Sequence, residues 1–309
     1  MSTDATETRP TDASPDRPGA INAVPVRHPG RWIAIAVIVI LAAMLLHLLL
    51  SNKAFDWRFV FQAMNQQPVI NGFIKGTLLV TVLSMIIGVG GGVVLAVMRL
   101  SDNPILAGVS WVFTWFFRSI PRYILLFTMG TLGILFQQGI SFGVPFDWKI
   151  IDWLGLSGDW RFYTLDANQL FTGLVAGVIG LGLSEAAYMA EIARAGILSV
   201  DKGQAEAAQA LGMSSGKVMR RVVLPQAVKR MIPAFLERAI ELMKTTTLVA
   251  IVSYADLLFQ TNEVAQKTFR PLEVFTVTAL IYFVVIFAAS RLVYGLEQRL
   301  AASGEGMAR

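Results

Sequence analysis

The chain has 309 residues, of which 55% are hydrophobic and only 15% charged, with a mean hydropathy of +0.59. Soluble domains carry about a quarter charged residues, so this balance excludes an ordinary water-soluble enzyme and points to lipid. The sequence holds no cysteine, which removes disulfides, zinc–thiolate sites and a thiol nucleophile, and its formal charge of +5 leaves nucleic acid or a membrane surface to be decided by distribution.

Residues 1–30 are rich in Ser, Thr, Asp, Arg and Pro and lack apolar periodicity, which predicts a disordered tail. Trp32 to Leu50 is almost wholly apolar and long enough to cross a bilayer, since a crossing needs roughly 20 residues. It predicts an uncleaved first span, with an outer loop to about residue 70. A second span is expected over about Ile74–Met98. Arg118, Pro121 and Arg122 split the next apolar run into a helix at the cytoplasmic surface and a short third span, about Arg122–Phe136. Further spans are expected over about Leu170–Ala190, Phe235–Leu258 and Leu272–Tyr294. The fifth contains Glu237, Arg238, Glu241 and Lys244. The expected fold is all-α, a polytopic bundle of six transmembrane helices.

Lysine and arginine set orientation. Arg99, Arg118, Arg122, Lys202, Lys217, Arg220, Arg221, Lys229, Arg230 and Arg299 would share one side, and that side is expected to be cytoplasmic together with both termini, including the 301–309 tail. The surplus charge is then topological and needs no nucleic acid.

The cytoplasmic stretch at about 191–234 contains "AEAAQALGMSSGKVMRRVVLPQ", 205–226. It predicts two short helices about a tight turn. Ser199 or Asp201 can cap the first, Ala205, Ala208 and Leu211 share one of its faces, and Gly212 suits a left-handed turn. Ser214 can cap the second, and Leu224-Pro225 is expected to end it. "GMSSGKV" at 212–218 imitates a phosphate-binding loop but has the wrong spacing and Val218 where Ser or Thr belongs. "GVGGGVV" at 88–94 lies within a span and reads as helix packing.

The loop resembles the EAA motif of ABC-importer membrane subunits, E-A-A-x3-G-x9-[I/V]-x-L-P. Here it reads Glu206, Ala207, Ala208, then Gly212, then Val222, Leu224 and Pro225, every spacer at the family length. "RSIP" at 118–121 is similar to the R-G-T-P element of polar amino-acid permeases, and "KTTTL" at 244–248 to their K-x-T-S-L. Arg122 and Tyr123 stand where those permeases usually have apolar residues. The resemblance covers about residues 71–300. It implies a type I importer permease in the cytoplasmic membrane, carrying amino acids such as histidine, arginine, glutamine or glutamate. It also implies an ABC ATPase dimer that supplies ATP and Mg on its own subunits, a second permease subunit (a copy or a relative) and an extracytoplasmic amino-acid-binding protein. The seven motif residues would then be the ATPase-coupling loop. No catalytic residue, resident cofactor or metal site is expected in this chain. A membrane-anchored regulator that reads DNA with the 205–226 helix pair is the alternative.

Ionisable groups in spans face the bundle interior or a water-filled path. Glu185, Glu241, Lys244 and Thr246 could receive the ammonium and carboxylate of a zwitterion, which makes them candidates for the translocation path. A plain i,i+3 ion pair between Glu241 and Lys244 is the competing reading. The aromatic-rich segment 137–168 is either an interfacial belt or part of a seat for a binding protein.

Overall fold

A computed structural model describes residues 29–137, 139–167, 171 and 173–305. The expected N-terminal tail falls outside these residues except at its last two positions, and the C-terminal tail is helical through Glu305. The chain divides into two units, Met1–Phe55 and Asp56–Arg309. The first holds α1, Pro29–Ser51, whose opening proline suits a first helical turn because its missing N–H would be unpaired there anyway. Apolar residues surround this helix, as a spanning segment requires.

The second unit begins with α2, Trp57–Met64. The Asp56 carboxylate accepts hydrogen bonds from the Arg58 and Phe59 amides and caps this helix. The same carboxylate takes a 2.8 Å bond from Arg270, which, with those amides, holds it below its ordinary pKa. α3 runs from Gln67 to Arg99 with a π-helical section over Gly72–Leu78. α4 is Pro104–Ser119 and α5 is Arg122–Leu135. The strands β1, Ile140–Gly143, and β2, Arg161–Leu165, pair antiparallel around α6, Asp147–Leu154. α7 follows at Gly173–Leu198, then α8 at Lys202–Ala210. α9 extends over Ser215–Val252, α10 is Leu257–Thr268 and α11 is Pro271–Glu305.

Among the described residues, four helices are long and apolar enough to cross a membrane: Gly30–Ser51, Gln67–Arg99, Gly173–Leu198 and Pro271–Leu300. α9 and α10, bent by 56° at their junction, pass the same test only when taken together, as a broken span or a re-entrant loop, and the 14-residue α5 is a shorter apolar helix. The bundle is thus helical and consistent with six spans. Its centre is the contact of α3 with α7. A Cβ added at Gly92 would lie 2.4 Å from the Met189 Cβ, and one at Gly88 2.9 Å from the Glu185 Cβ, so the glycines let two backbones touch. On one side of this contact Val80, Leu126, Leu181, Leu242 and Val249 form a core. Toward the other end Ala96, Ala193, Val218, Ala227 and Met231 form a second.

Two sequence expectations are corrected here. The fifth span is not one helix over about 235–258. It starts at Ser215, becomes 3-10 helical from Thr246, and breaks where Ser253 turns left-handed and Asp256 caps α10. Pro225 does not end the second helix of the loop either. The preceding turn, Met219–Val223, is π-helical, and the Leu224 amide bonds to the Met219 carbonyl, five residues back. The widened turn carries helical hydrogen bonding up to Leu224, immediately before the proline, and the helix passes through.

Candidate functional site: a guanidinium-lined pocket and a surface helix pair

Three segments distant in sequence meet around Glu185. The α4–α5 junction brings Arg118, Ser119, Ile120, Pro121 and Arg122. α7 brings Glu185 and Tyr188 at i and i+3. α9 brings Arg238, Glu241 and Thr245 on one helical face. They border an open cavity of about 460 Å³ lined by Arg118, Arg122, Tyr188, Arg238, Glu241 and Thr245 among others.

Glu185 is fully buried at 0% exposure, and both its oxygens are engaged. Arg238 donates to it twice, Nε to Oε1 at 2.8 Å and Nη2 to Oε2 at 2.9 Å. Arg122 adds Nη2 to Oε2 at 3.1 Å and turns Nη1 to the Thr245 hydroxyl at 3.1 Å. A bidentate guanidinium plus a second one is the arrangement that offsets the cost of burying a carboxylate. The Tyr188 ring lies against three guanidinium carbons, 4.3 Å from Arg238, 5.1 Å from Arg122 and 5.4 Å from Arg118. Arg118 is the member of the group with no ion pair among the described residues, so its charge is available to an anion in the cavity.

The sequence candidates are placed unequally. Glu185 and Glu241 come to the same pocket, but Glu185 is already committed to two arginines. Glu241 and Lys244 form the i,i+3 ion pair at 2.8 Å, half-exposed, with Glu241 on the pocket wall. Thr246 is fully buried and donates to the Met243 carbonyl, whereas its neighbour Thr245 faces the pocket. Arg118, Arg122, Tyr188 and Arg238 carry the geometry and were absent from the sequence candidates. The available signal was Arg122 itself, an arginine opening an apolar run four residues after Arg118.

At the other end, α8 and the start of α9 form the helix pair. Asp201 caps α8 through a 2.7 Å bond from the Gly203 amide. Gly212 is left-handed at φ +80, and the Met213 amide closes onto the Ala208 carbonyl. Ser214 holds the N-cap position without a side-chain bond. Ala208 is buried against Val218, Val223 and Ala227, and Val222 is half-buried beside them. The alanine face therefore points into the chain itself. Glu206, Ala207, Leu211, Gly212, Leu224 and Pro225 are exposed. The pair is fixed to the bundle by Gln226 on Gln204 at 2.5 Å and by Arg230 on the Ser199 carbonyl and hydroxyl.

A multi-helix bundle with a buried polar cluster and an exposed helix pair at one end fits an integral membrane transport component. Residues 88–302 match the family described as binding-protein-dependent transport system inner membrane component. The chain belongs to that family and is an inner-membrane permease subunit, with ATP hydrolysis carried by a separate subunit. It is 39% identical over 275 residues to the arginine transport system permease protein ArgU of Corynebacterium glutamicum, covering 88% of this chain and 81% of that one. It is 32% identical over 247 residues to the glutamate/aspartate import permease protein GltK of Escherichia coli O157:H7, covering 80% and 99%. The crystal structure of an amino acid ABC transporter with histidines superposes with a TM-score of 0.62 at 29% identity, covering 79% of this chain and 99% of that one. The match includes the 205–226 helix pair within the permease, so the DNA-reading regulator has no support.

Proposed function

We propose that this permease admits polar amino acids and that the pocket around Tyr188 receives them in transit. The observation that carries this reading is Arg118, a guanidinium with no carboxylate partner that opens into the cavity beside the saturated Glu185. A substrate carboxylate would take Arg118 bidentately, with the edge of Arg122 close by. The substrate ammonium would approach Glu241 and compete there with Lys244. Thr245 offers a hydroxyl between the two. A volume near 460 Å³ falls in the usual range for small-ligand sites, about 300–1,000 Å³. The names of the relatives, an arginine permease and a glutamate/aspartate permease, support an amino-acid cargo without choosing its side chain.

The exposed residues Glu206, Ala207, Gly212, Leu224 and Pro225 would seat in an ABC ATPase dimer that binds ATP and Mg, with Ala208 and Val222 holding the two helices together from behind. α9 then joins the docking surface to the pocket in one piece, from Leu224 to Arg238, Glu241 and Thr245. Movement of its base shifts the pocket wall. The lysine and arginine pattern supports cytoplasmic termini. A second permease subunit and an extracytoplasmic binding protein would complete the importer.

The test is ATP-driven uptake of labelled arginine, histidine, glutamine and glutamate into proteoliposomes holding the complete transporter. Arg118→Gln should lower uptake of the transported amino acid at least tenfold while leaving the ATPase bound. Uptake at the native rate by Arg118→Gln would contradict this use of the pocket.

A further inference from the structure

The β1–α6–β2 insert between α5 and α7 has no part in the pocket or the helix pair, yet it presents a concentrated aromatic surface. Phe142, Phe146, Trp148, Trp153, Phe162 and Tyr163 are all exposed, Trp153 at 84% and Phe162 at 81%. The surface is built, because the insert is ordered from within. Ile140 pairs with Leu165 and Phe142 with Tyr163 across the strands. The buried Asp147 accepts from its neighbouring Trp148 amide at 2.8 Å and from the Trp160 amide at 3.4 Å, and Arg161 lies 3.7 Å from it. Asp147 and Ile151, one turn apart, therefore face the hairpin, and this turns Trp148 and Trp153 outward.

We infer that the insert is a monotopic membrane-surface element, lying in the lipid headgroup layer at the face where α5 ends. Three observations favour lipid as the occupant. The chain enters the insert from α5, which ends at Leu135, and leaves it toward α7, which begins at Gly173, so the insert is tied to membrane helices in both directions. α5 has 14 residues, about 21 Å of helix, short of a hydrocarbon core of about 30 Å. Ile134, Leu135 and Phe136 at its end are exposed, so apolar surface reaches the end of α5 that leads into the insert. The composition of the insert is also that of an interface. Tryptophan, tyrosine and phenylalanine alternate with Lys149, whose ammonium rests 5.1 Å from the Trp148 ring, and with Arg161. Charges so closely interleaved with rings suit the headgroup layer rather than the hydrocarbon.

The absence of cysteine makes the experiment direct, because each introduced cysteine is unique. Trp153→Cys and Phe162→Cys would be spin-labelled in the full chain, in lipid nanodiscs stripped of the ATPase so that the helix pair stays open to water, and their collision rates with oxygen and a nickel chelate compared. Phe283→Cys, exposed within the apolar run of α11, is the lipid reference, and Leu211→Cys on the helix pair is the aqueous one. Both insert labels should give oxygen-to-nickel ratios several-fold above that at Leu211 with no binding protein present. Ratios equal to the Leu211 value would overturn the inference. Nickel access that is aqueous in the bare permease and drops only on adding a substrate-binding protein would also overturn it, and would assign the surface to protein docking.

Discussion

Glu185 anchors two arginines, and its removal leaves both without their counter-charge in a place that water reaches poorly. Breaking a buried pair by deleting one partner costs about 3–5 kcal/mol. Glu185→Gln should therefore lower the melting temperature of the purified permease markedly, whereas Glu241→Gln, half-exposed and paired only with Lys244, should change it little. Equal melting shifts for the two would show that the guanidinium cluster does not hold the bundle. Arg118 belongs to a different category. It is charged but bound to no carboxylate, so its loss should fall on transport rather than on melting. The contrast between Glu185 and Arg118 separates the groups that build the pocket from those that face a substrate.

At the scale of elements, glycine placement on α3 decides how closely α7 can lie. Gly92 has no room for a methyl, while a Cβ at Gly90 meets nothing within 4 Å. Gly92→Ala should destabilise by about 1–3 kcal/mol through overpacking against Met189. Gly90→Ala should be neutral or stabilising by up to about 1 kcal/mol. Thermal melts of the two variants side by side check this, and equal losses would contradict the packing. The same glycine-rich run was legible in the sequence as helix packing, because it lies in an apolar segment with no strand before it. The apolar runs were legible as spans for the same reason, composition being all that a lipid-facing helix needs. Pro225 was misread, since proline chemistry alone predicts a stop, whereas the π-helical turn before it is held by Val222 and Val223 packing with Ala208 of α8. The alanine face of α8 was found by its spacing but given the wrong neighbour. Periodicity identifies an apolar face without saying whether Ala208 meets a partner or the chain's own Val218 and Val223. The pocket was the least legible part. Arg118, Glu185 and Arg238 are brought together only by the crossing of α4, α7 and α9, and in the sequence the nearer pair Glu241 and Lys244 looked equally plausible.

For the whole molecule, the pocket and the helix pair belong to one mechanical path. α9 starts in the exposed helix pair, passes Pro225 just after a widened turn, and reaches the pocket with Arg238, Glu241 and Thr245 before breaking at Ser253. A permease with no ATP site of its own must receive the work of hydrolysis from outside, and this helix links the two ends without a loop between them. Docking at the helix pair is therefore the claim on which the account of transport depends. The most direct measurement is affinity purification of the tagged chain from native membranes in gentle detergent, with Glu206→Lys beside it. Glu206 is exposed on α8 and makes no ion pair among the described residues, so its reversal should leave the permease folded. The account predicts that an ABC ATPase co-purifies with the native chain and is lost, or reduced at least tenfold, with Glu206→Lys. An ATPase retained equally by both, or absent from both, would contradict it.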